Sequence, residues 1–466
     1  MSLSRVSRTL PRVARLARGY ACTSGLTANT AYTAVTHPDN SAPEATQELI
    51  KEHSSYLLNT YARPQILFTK GKGANLTDSA GREYLDFSAG IAVTALGHSD
   101  AQLNAVQAAQ AEKLSHVSNV YWNEHAGALA KDLVEGTRAA GGLGLAKSGG
   151  PGAKVFFSNS GTEANEGALK FARKYGKDVG GENKTGIVCF TNAFHGRSMG
   201  ALSCTPNPKY QAPFAPLIPN VRVGEYNNAD AAVIAELVNE NTCGVIIEPV
   251  QGEGGVGTAS VEFLTALAKR CREVNAVLIY DEIQCGLFRT GTMWAHSELP
   301  VEAQPDVVTM AKPLANGFPI GAILVRENVA DVIGVGAHGT TFGGQPLACA
   351  LGRHVLGRIS APEFGAHLAD SAAHLDTLIA RLPKLFPQFI KEETRGRGLI
   401  RGIPFKNEKQ PGEVVRMARE RGVLLLTAGS DAVRLIPPLT ITKEQCDQAV
   451  AVIESVLTVM DKEGKW

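Results

Sequence analysis

The sequence predicts an α/β protein with a large domain around a mostly parallel sheet and a smaller α+β domain. Its 466 residues are enough for two or three domains. In the middle of the chain, runs that are apolar at nearly every position, such as residues 244–247 and 277–280, alternate with helical patterns. Such runs are typical of strands covered on both faces, as in parallel sheets.

Residues 1–38 predict a mitochondrial transit peptide followed by a flexible lead-in. They contain no acidic residue, and their only Lys or Arg residues are five arginines, at positions 5, 8, 12, 15 and 18. Acid-free, Arg-rich amphipathic starts are typical of mitochondrial import signals; a disordered basic tail is the alternative. Without these arginines the formal net charge falls from +1 to −4. We therefore expect an acidic mature protein in the mitochondrial matrix.

The composition of the chain excludes several classes of partner. A net charge of +1 offers no polybasic surface for nucleic acid. No apolar run approaches the roughly 18 residues that a membrane span needs. The eight cysteines are scattered and form no CxxC pair, and the 11 histidines form no HExxH motif. We expect reduced thiols, no metal site, no membrane and no nucleic acid.

Residues 39–95 predict the N-terminal part of the smaller domain, with hairpin-like strands at 65–69, 75–77 and 83–87. Residues 96–346 predict the large domain. Its helices are expected at 101–114, 126–137, 162–174, 229–240 and 261–274, and its strands at 154–157, 186–191, 243–249, 277–280, 307–310 and 322–325. Residues 347–466 predict the C-terminal part of the smaller domain, with strands at 399–404, 423–426 and 433–436. A final helix starts at the capping-box pattern Thr442-Lys-Glu-Gln445.

The segment Gly252-Glu-Gly-Gly-Val-Gly257 fits the G-x-G-x-x-G pattern of dinucleotide-binding loops. Two details argue against a nicotinamide cofactor. Pro249 closes the preceding strand before the glycines, and the next helix most plausibly starts after a Ser260 cap. A pyrophosphate in this loop would therefore miss the helix amino end that normally binds it.

Four segments follow predicted strands of the large domain, where the active sites of parallel sheets gather. Ser160, Gly161 and Thr162 open a helix whose amino end favours an anion such as phosphate. Phe194 could cover a cofactor ring, and Arg197 could hold a carboxylate with two hydrogen bonds. Taken singly, these residues are equally explained as a plain helix cap, a core aromatic and a surface cation.

The other two segments carry a carboxylate and an amine. Asp281 closes the strand at 277–280, where a carboxylate can keep a heteroaromatic ring nitrogen protonated. Lys312 follows the strand at 307–310 in an apolar, Gly/Pro-rich setting, which makes it a Schiff-base candidate. The alternatives are an ordinary helix cap or ion pair and a solvated lysine.

Together and in this order, the motifs of residues 60–466 resemble the pyridoxal-phosphate (PLP) aminotransferases of fold type I, class III. The motifs are Asn159-Ser-Gly-Thr-Glu-Ala-Asn-Glu, Phe194-His-Gly-Arg, Glu248-Pro-Val-Gln-Gly-Glu, Asp281-Glu-Ile-Gln-Cys-Gly-x-x-Arg-Thr-Gly, the Lys312 segment and Thr340-Thr-Phe-Gly-Gly-Gln-Pro. One departure from the pattern of this family is Gly97-His-Ser-Asp-Ala, where Gly-His-x-His-Pro is usual.

The resemblance implies a PLP site in a fold type I large domain. Lys312 would bind PLP as a Schiff base and later act as the base that moves the substrate proton. Asp281 would pair with the pyridine nitrogen. Phe194 would stack on the ring of the cofactor, and Gln284 would bond its phenolic oxygen. The phosphate would be held by Ser160, Gly161 and Thr162, together with Thr341 from the second subunit of a homodimer.

The resemblance also implies the substrates. Residues 86–98 and 118–121 are similar to the members that use N-acetylornithine and 2-oxoglutarate or glutamate. Arg197 would bind the α-carboxylate of acetylornithine or the side-chain carboxylate of glutamate. Arg434 would bind the α-carboxylate of glutamate, and Glu253 would neutralise Arg434 when acetylornithine is bound. Thr340 would touch the acetylated substrate. Members specific for ornithine or 4-aminobutyrate share nearly all these residues, and glutamate-1-semialdehyde mutase, an isomerase, shares the fold and the lysine.

Overall fold

The computed structural model describes residues 27–147 and 150–465. The arginines of the predicted transit peptide lie outside these residues. The strands of the described residues are β1 Phe68–Lys72, β2 Asn75–Asp78, β3 Glu83–Asp86, β4 Ala153–Ser158, β5 Gly186–Phe190, β6 Val221–Gly224, β7 Thr242–Ile247, β8 Val277–Asp281, β9 Val307–Met310, β10 Gly321–Arg326, β11 Arg395–Arg397, β12 Ile400–Pro404, β13 Val423–Leu424, β14 Leu426–Ala428 and β15 Ala432–Leu435.

The helices of the same residues connect and cover these strands. They are α1 Glu44–Ser54, α2 Ala89–Ala92, α3 Ala101–Lys113, α4 Ala126–Ala139, α5 Gly161–Gly180, α6 Met199–Ser203, α7 Pro208–Gln211, α8 Ala231–Leu237, α9 Val261–Glu273, α10 Glu327–Ala330, α11 Pro346–Ile359, α12 Pro362–Ile379, α13 Leu382–Leu385, α14 Gln410–Arg419 and α15 Lys443–Lys462. None of them combines the length and the apolar character needed to cross a membrane.

The large sheet has seven strands in the order β4-β10-β9-β8-β7-β5-β6. The strands β9, β8, β7, β5 and β6 are mutually parallel, whereas β10 is antiparallel to both of its neighbours. The predicted mostly parallel sheet is therefore confirmed. Because β4 and β9 both run opposite to β10, the carboxyl ends of β4, β5, β7, β8 and β9 meet at one edge.

Helices cover both faces of this sheet. In β5, Ile187 and Cys189 pack in a cluster with residues of α5, while Val188 and Phe190 pack on the other face with α9. Successive side chains of a strand point to opposite faces, so a strand between two helical layers is apolar at every position. This arrangement explains the continuous apolar runs of the sequence.

Two four-stranded sheets are built from the ends of the chain. One has the order β1-β2-β3-β13, in which Leu85 of β3 pairs in parallel with Val423 of β13. The other, β11-β12-β15-β14, is antiparallel throughout. The N-terminal strands thus pair with a C-terminal one. The boundaries at residues 95/96 and 346/347 stay predictions.

The lead-in expected to be flexible is anchored from residue 27 onward. The backbone N–H of Asn29 donates to Glu454 (2.6 Å) and that of Tyr32 to Ser455 (3.1 Å), both on α15. The guanidinium of Arg421 donates to the carbonyls of Tyr32 and Thr33. This segment is poor in aromatic residues and rich in Ala and Thr, and such a composition cannot reveal partners more than 380 residues away.

Several element boundaries differ from the sequence expectation. The edge strands β6 and β11 were not predicted. They have only four and three residues, respectively, and the arginines in them leave too little apolar pattern to indicate a strand. The helix expected at 229–240 is shorter, since it begins at the Asp230 cap. The capping box at Thr442 is confirmed. Asp100, in the segment that departs from the family pattern, caps α3 by accepting from Leu103 N–H at 2.9 Å.

Candidate active site

The carboxyl ends of β5, β7, β8 and β9 surround a cavity of about 250 Å³ together with the amino end of α5. Seven of the predicted site residues line it. The lining residues are Gly161, Thr162, Phe194, His195, Gly196, Arg197, Glu248, Asp281, Ile283, Gln284 and Lys312.

Asp281, the last residue of β8, is buried and receives hydrogen bonds from three elements. Its Oδ2 accepts from His195 Nδ1 at 2.7 Å and from Asn165 Nδ2 at 2.8 Å, and its Oδ1 accepts from Ile283 N–H at 3.1 Å. Burial alone would lower the pKa of His195, but the hydrogen bond and charge of Asp281 outweigh burial and raise that pKa. The carboxylate is therefore fixed in position beside the cavity.

Lys312 follows β9 and begins a turn of 3₁₀-helix at Lys312–Ala315. Burial, reinforced by the positive charge of Arg434, lowers the pKa of Lys312 to about 8, against the attraction of nearby carboxylates. The Lys312 amine has no hydrogen-bond partner among residues 27–147 and 150–465. An amine of lowered pKa without a partner is available as a nucleophile and as a base.

Glu248 follows β7 and joins the loops on either side of the cavity. Its Oε1 accepts from Phe194 N–H at 2.9 Å, and its Oε2 accepts from Gly252 N–H at 3.0 Å. Burial raises the pKa of Glu248 to about 7, with Asp281 adding to the shift and His195 opposing it. One carboxylate thus holds the loop that carries Phe194 against the loop that carries Glu253.

The amino end of α5 forms one wall of the cavity. Ser160 caps this helix by accepting from Glu163 N–H at 3.3 Å, and Thr162 shares a 2.6 Å hydrogen bond with Ser198. Gly196 has a φ of 137°, and a side chain there would place its Cβ 2.3 Å from Thr162 Oγ1. The close approach of this glycine lets the two loops enclose the N–H groups that open the helix.

Arg434 on β15 reaches the cavity through Gln284. Its guanidinium donates to Gln284 Oε1 at 2.7 Å, to the carbonyl of Gly252 at 2.7 Å and to Glu253 Oε2 at 3.0 Å. Arg434 is 2% exposed, whereas the side chain of Glu253 is 38% exposed. The strand before this loop ends at Ile247 and α9 begins at Val261, which agrees with the argument against a dinucleotide.

Thr340 and Thr341 lie outside the lining of the cavity within this one chain. Thr340 Oγ1 accepts from Asn159 Nδ2 at 3.0 Å, and Thr341 is exposed. Within the described residues, neither threonine belongs to the lining of this cavity.

The structure adds residues to which the sequence argument gave no role. Asn165 donates a hydrogen bond to Asp281. His195 and Glu248 form hydrogen bonds at the wall of the cavity. Ile283 packs against Gly161, where an added Cβ would lie 2.9 Å from the Ile283 side chain. A signal was present for Glu248, a carboxylate that directly follows a fully apolar strand. Asn165 also carried a signal, since it is polar on the buried face of α5.

The fold and the site define an aminotransferase. The chain belongs to the class III aminotransferase family, whose model matches residues 57–457. This family is PLP-dependent, and a similar structure of ornithine aminotransferase from Toxoplasma gondii is described with partial occupancy of PLP at its active site.

Relatives of known name are similar over most of the chain. The mitochondrial acetylornithine aminotransferase of Neurospora crassa is 51% identical over 90% of this chain and 89% of its own length. That of Saccharomyces cerevisiae is 44% identical over 88% and 95%. Among crystal structures, ornithine aminotransferase of T. gondii has a TM-score of 0.81 at 30% identity (90% and 97% covered). N-acetylornithine aminotransferase of Stenotrophomonas maltophilia has 0.73 at 33% (88% and 99% covered).

The lowered pKa of Lys312 predicts its chemical reactivity. In cofactor-free protein, acylation of Lys312 by a small amine-reactive ester, followed by peptide mass spectrometry, is expected to reach its half-maximal rate near pH 8. Exposed lysines titrate near pH 10.4. Arg434→Met should move the Lys312 midpoint upward because a neighbouring positive charge is lost. A wild-type midpoint above pH 10 would contradict the burial of the amine in this environment.

Proposed function

We propose that the chain transfers the δ-amino group of N2-acetyl-L-ornithine to 2-oxoglutarate. The products are N-acetyl-L-glutamate 5-semialdehyde and L-glutamate, a step of arginine biosynthesis. The observation that carries this proposal is the Arg434–Glu253 pair at 3.0 Å beside Gln284, because it suits a pocket that alternates between one and two carboxylates. The names of relatives at 44–51% identity support the same substrates.

The donor set of the cavity fits PLP. Lys312 offers an amine for the aldehyde, Asp281 a fixed carboxylate for the pyridine nitrogen, and the amino end of α5 a site for the phosphate. Phe194 and Ile283 both line the cavity as apolar faces for the ring, and Gln284 lies beside them as a hydrogen-bond donor. When bound, PLP supplies an electron sink that stabilises negative charge on the substrate carbon.

Two side chains of the protein, Lys312 and Asp281, act on the protons of the reaction. The Lys312 amine accepts the proton from the substrate carbon that bears the amino group, and a pKa of about 8 leaves part of the amine neutral for this task. Hydrogen bonds from Asn165 and His195 fix the Asp281 carboxylate, so that it can accept a hydrogen bond from a protonated ring nitrogen.

The two arginines divide the recognition of substrate. Acetylornithine reacts at its terminal amine and brings one carboxylate, which Arg197 binds. Glutamate reacts at its α-amine and brings two, of which Arg197 binds the side-chain carboxylate and Arg434 the α-carboxylate. With acetylornithine bound, Glu253 keeps the charge of buried Arg434 compensated, since an unpaired buried cation costs several kcal/mol.

The proposed reaction is tested by the absorption of the purified protein. Protein supplied with PLP is expected to show the absorption band of lysine-bound cofactor, which N-acetylornithine bleaches at least tenfold more efficiently than ornithine or 4-aminobutyrate. Lys312→Ala should lack the wild-type band. Preferential bleaching by ornithine would replace the proposed substrate, and an unchanged band in Lys312→Ala would contradict the role of the lysine.

Arg434→Met is expected to separate the two half-reactions. Loss of a buried charge contact of roughly 2–4 kcal/mol should lower kcat/KM for glutamate by about 30- to 1,000-fold in single-turnover assays. The value for acetylornithine should fall less than tenfold. Arg401→Met is the matched control, because Arg401 is a buried arginine on the neighbouring strand β12 whose bonds go to Gly396 and Asp376. Equal losses in both half-reactions of Arg434→Met would contradict the switch.

We propose that two copies form a homodimer in which Thr341 of one completes the phosphate site of the other. An exposed apolar patch lies beside Thr341, made of Val120 (77% exposed), Tyr121, Trp122 (97%) and Phe342. Patches of this kind mark protein interfaces. Trp122→Glu should yield monomers in sedimentation velocity and lose activity; a fully active monomer would contradict the shared site.

We also propose that the protein works in the mitochondrial matrix. Residues 1–38 fused to a fluorescent protein should direct it to mitochondria, and a cytosolic fusion would contradict this. The processed N-terminus should lie before Asn29, because the backbone from that residue onward is bound to α15.

A further inference from the structure

Arg197 differs from Arg434 in how it is held within the part of the chain that the structure describes. Among residues 27–147 and 150–465, no hydrogen bond or ion pair involves its guanidinium, and the residue is exposed at the cavity. A free arginine side chain loses rotamer entropy when it is fixed, and this loss weakens binding. Something other than a hydrogen bond must hold Arg197 if it is to receive a carboxylate without this loss.

The aromatic ring of Tyr210 makes this contact with Arg197. The Cζ atom of Arg197 lies 3.7 Å from the centroid of the Tyr210 ring and 5.5 Å from that of Phe194. Both distances are within the range of cation–π attraction. Arginine stacks its guanidinium on aromatic faces, and a guanidinium stacked in this way keeps its N–H edge free, which is the edge that binds a carboxylate in a bidentate manner.

The position of Tyr210 is fixed by its own short helix. Asn207 caps α7 by accepting from Lys209 N–H, and the Tyr210 N–H donates to the Asn207 carbonyl at 2.9 Å. The side chain of Gln211 donates to the carbonyl of Leu202 in α6 at 3.0 Å. The Tyr210 ring also meets Phe194 edge to face, at 6.4 Å between centroids. Tyr210 thus contacts the arginine and the aromatic side chain that both line the cavity.

We infer that Tyr210 is a positioning residue that holds Arg197 ready for a carboxylate in both half-reactions. The inference rests on the proposed function, in which Arg197 serves both substrates. A carboxylate partner such as Glu253, which neutralises Arg434, would compete with the substrate, whereas an aromatic ring does not. The two arginines of the site therefore differ. Arg197 is held by a ring and can bind a carboxylate in both half-reactions, whereas Arg434 is held by Glu253 and binds one only when glutamate is present.

Three variants of the PLP-loaded protein test this inference. Tyr210→Leu removes the ring, Tyr210→Phe keeps the ring without the hydroxyl, and Phe214→Leu is a control on the same segment that removes an exposed ring from a residue three positions after α7. The measurements are KM and kcat for each substrate, the Kd of glutarate as a non-reacting dicarboxylate, and the cofactor absorption band.

Tyr210→Leu is expected to raise KM for acetylornithine and for glutamate, and Kd for glutarate, by about 3- to 5-fold, as loss of a cation–π contact at an exposed arginine would. Its kcat should change less than threefold and its absorption band should remain. Tyr210→Phe and Phe214→Leu should stay within twofold of wild type. This pattern differs from that of Arg434→Met, which affects glutamate alone.

The other outcomes are also decisive. Unchanged KM and Kd values in Tyr210→Leu overturn the inference while the proposed function stands. A loss in Tyr210→Phe equal to that in Tyr210→Leu overturns it as well, because the hydroxyl and not the ring would then matter. If wild type fails to use acetylornithine, the proposed function fails, and glutarate binding still tests the hold on Arg197.

Discussion

The geometry of the site depends on one buried carboxylate, that of Asp281. Its donors come from α5 through Asn165 and from the loop after β5 through His195, and Asn165 in turn accepts from Thr309 of β9. An ionised carboxylate without donors would cost several kcal/mol in this interior. Satisfying it forces α5 and two further elements to converge at one sheet edge, which also brings the helix amino end and Lys312 to the same cavity.

The charged residues around this carboxylate differ in the number of hydrogen bonds that hold each of them. Glu248 is clamped by two backbone N–H groups, and Arg434 is held by one acid, one amide and one carbonyl. In the described part of the chain, the Arg197 guanidinium lies over two aromatic rings and makes no hydrogen bond or ion pair. The tightly held groups build the walls of the cavity, and the loosely held ones face the part of the substrate that varies. The residues that keep the cavity rigid and the residues that bind the changing part of the substrate are therefore different residues around the same amine.

The sequence was sufficient for the features that local pattern determines. Apolar runs located six of the seven strands of the large sheet, and residues that follow them, Asp281 and Lys312 among them, line the cavity. Pattern could not locate what tertiary packing decides. Tyr210 lies in a four-residue helix whose place beside Arg197 depends on its docking against α6. The anchored lead-in depends on partners in α15, and β6 is an edge strand with little apolar character.

The pairing of the two chain ends has a consequence for the order of folding. Asn29 and its partner Glu454 are 425 residues apart, and β3 meets β13 across a similar separation. Closing contacts this distant is slow, and the edges of β1–β3 stay uncovered until it happens. A chain that emerges from its N-terminus, whether from a ribosome or through a membrane pore, must expose these strands until nearly all of it has appeared. The large sheet can form first, and the last helix, α15, completes the molecule.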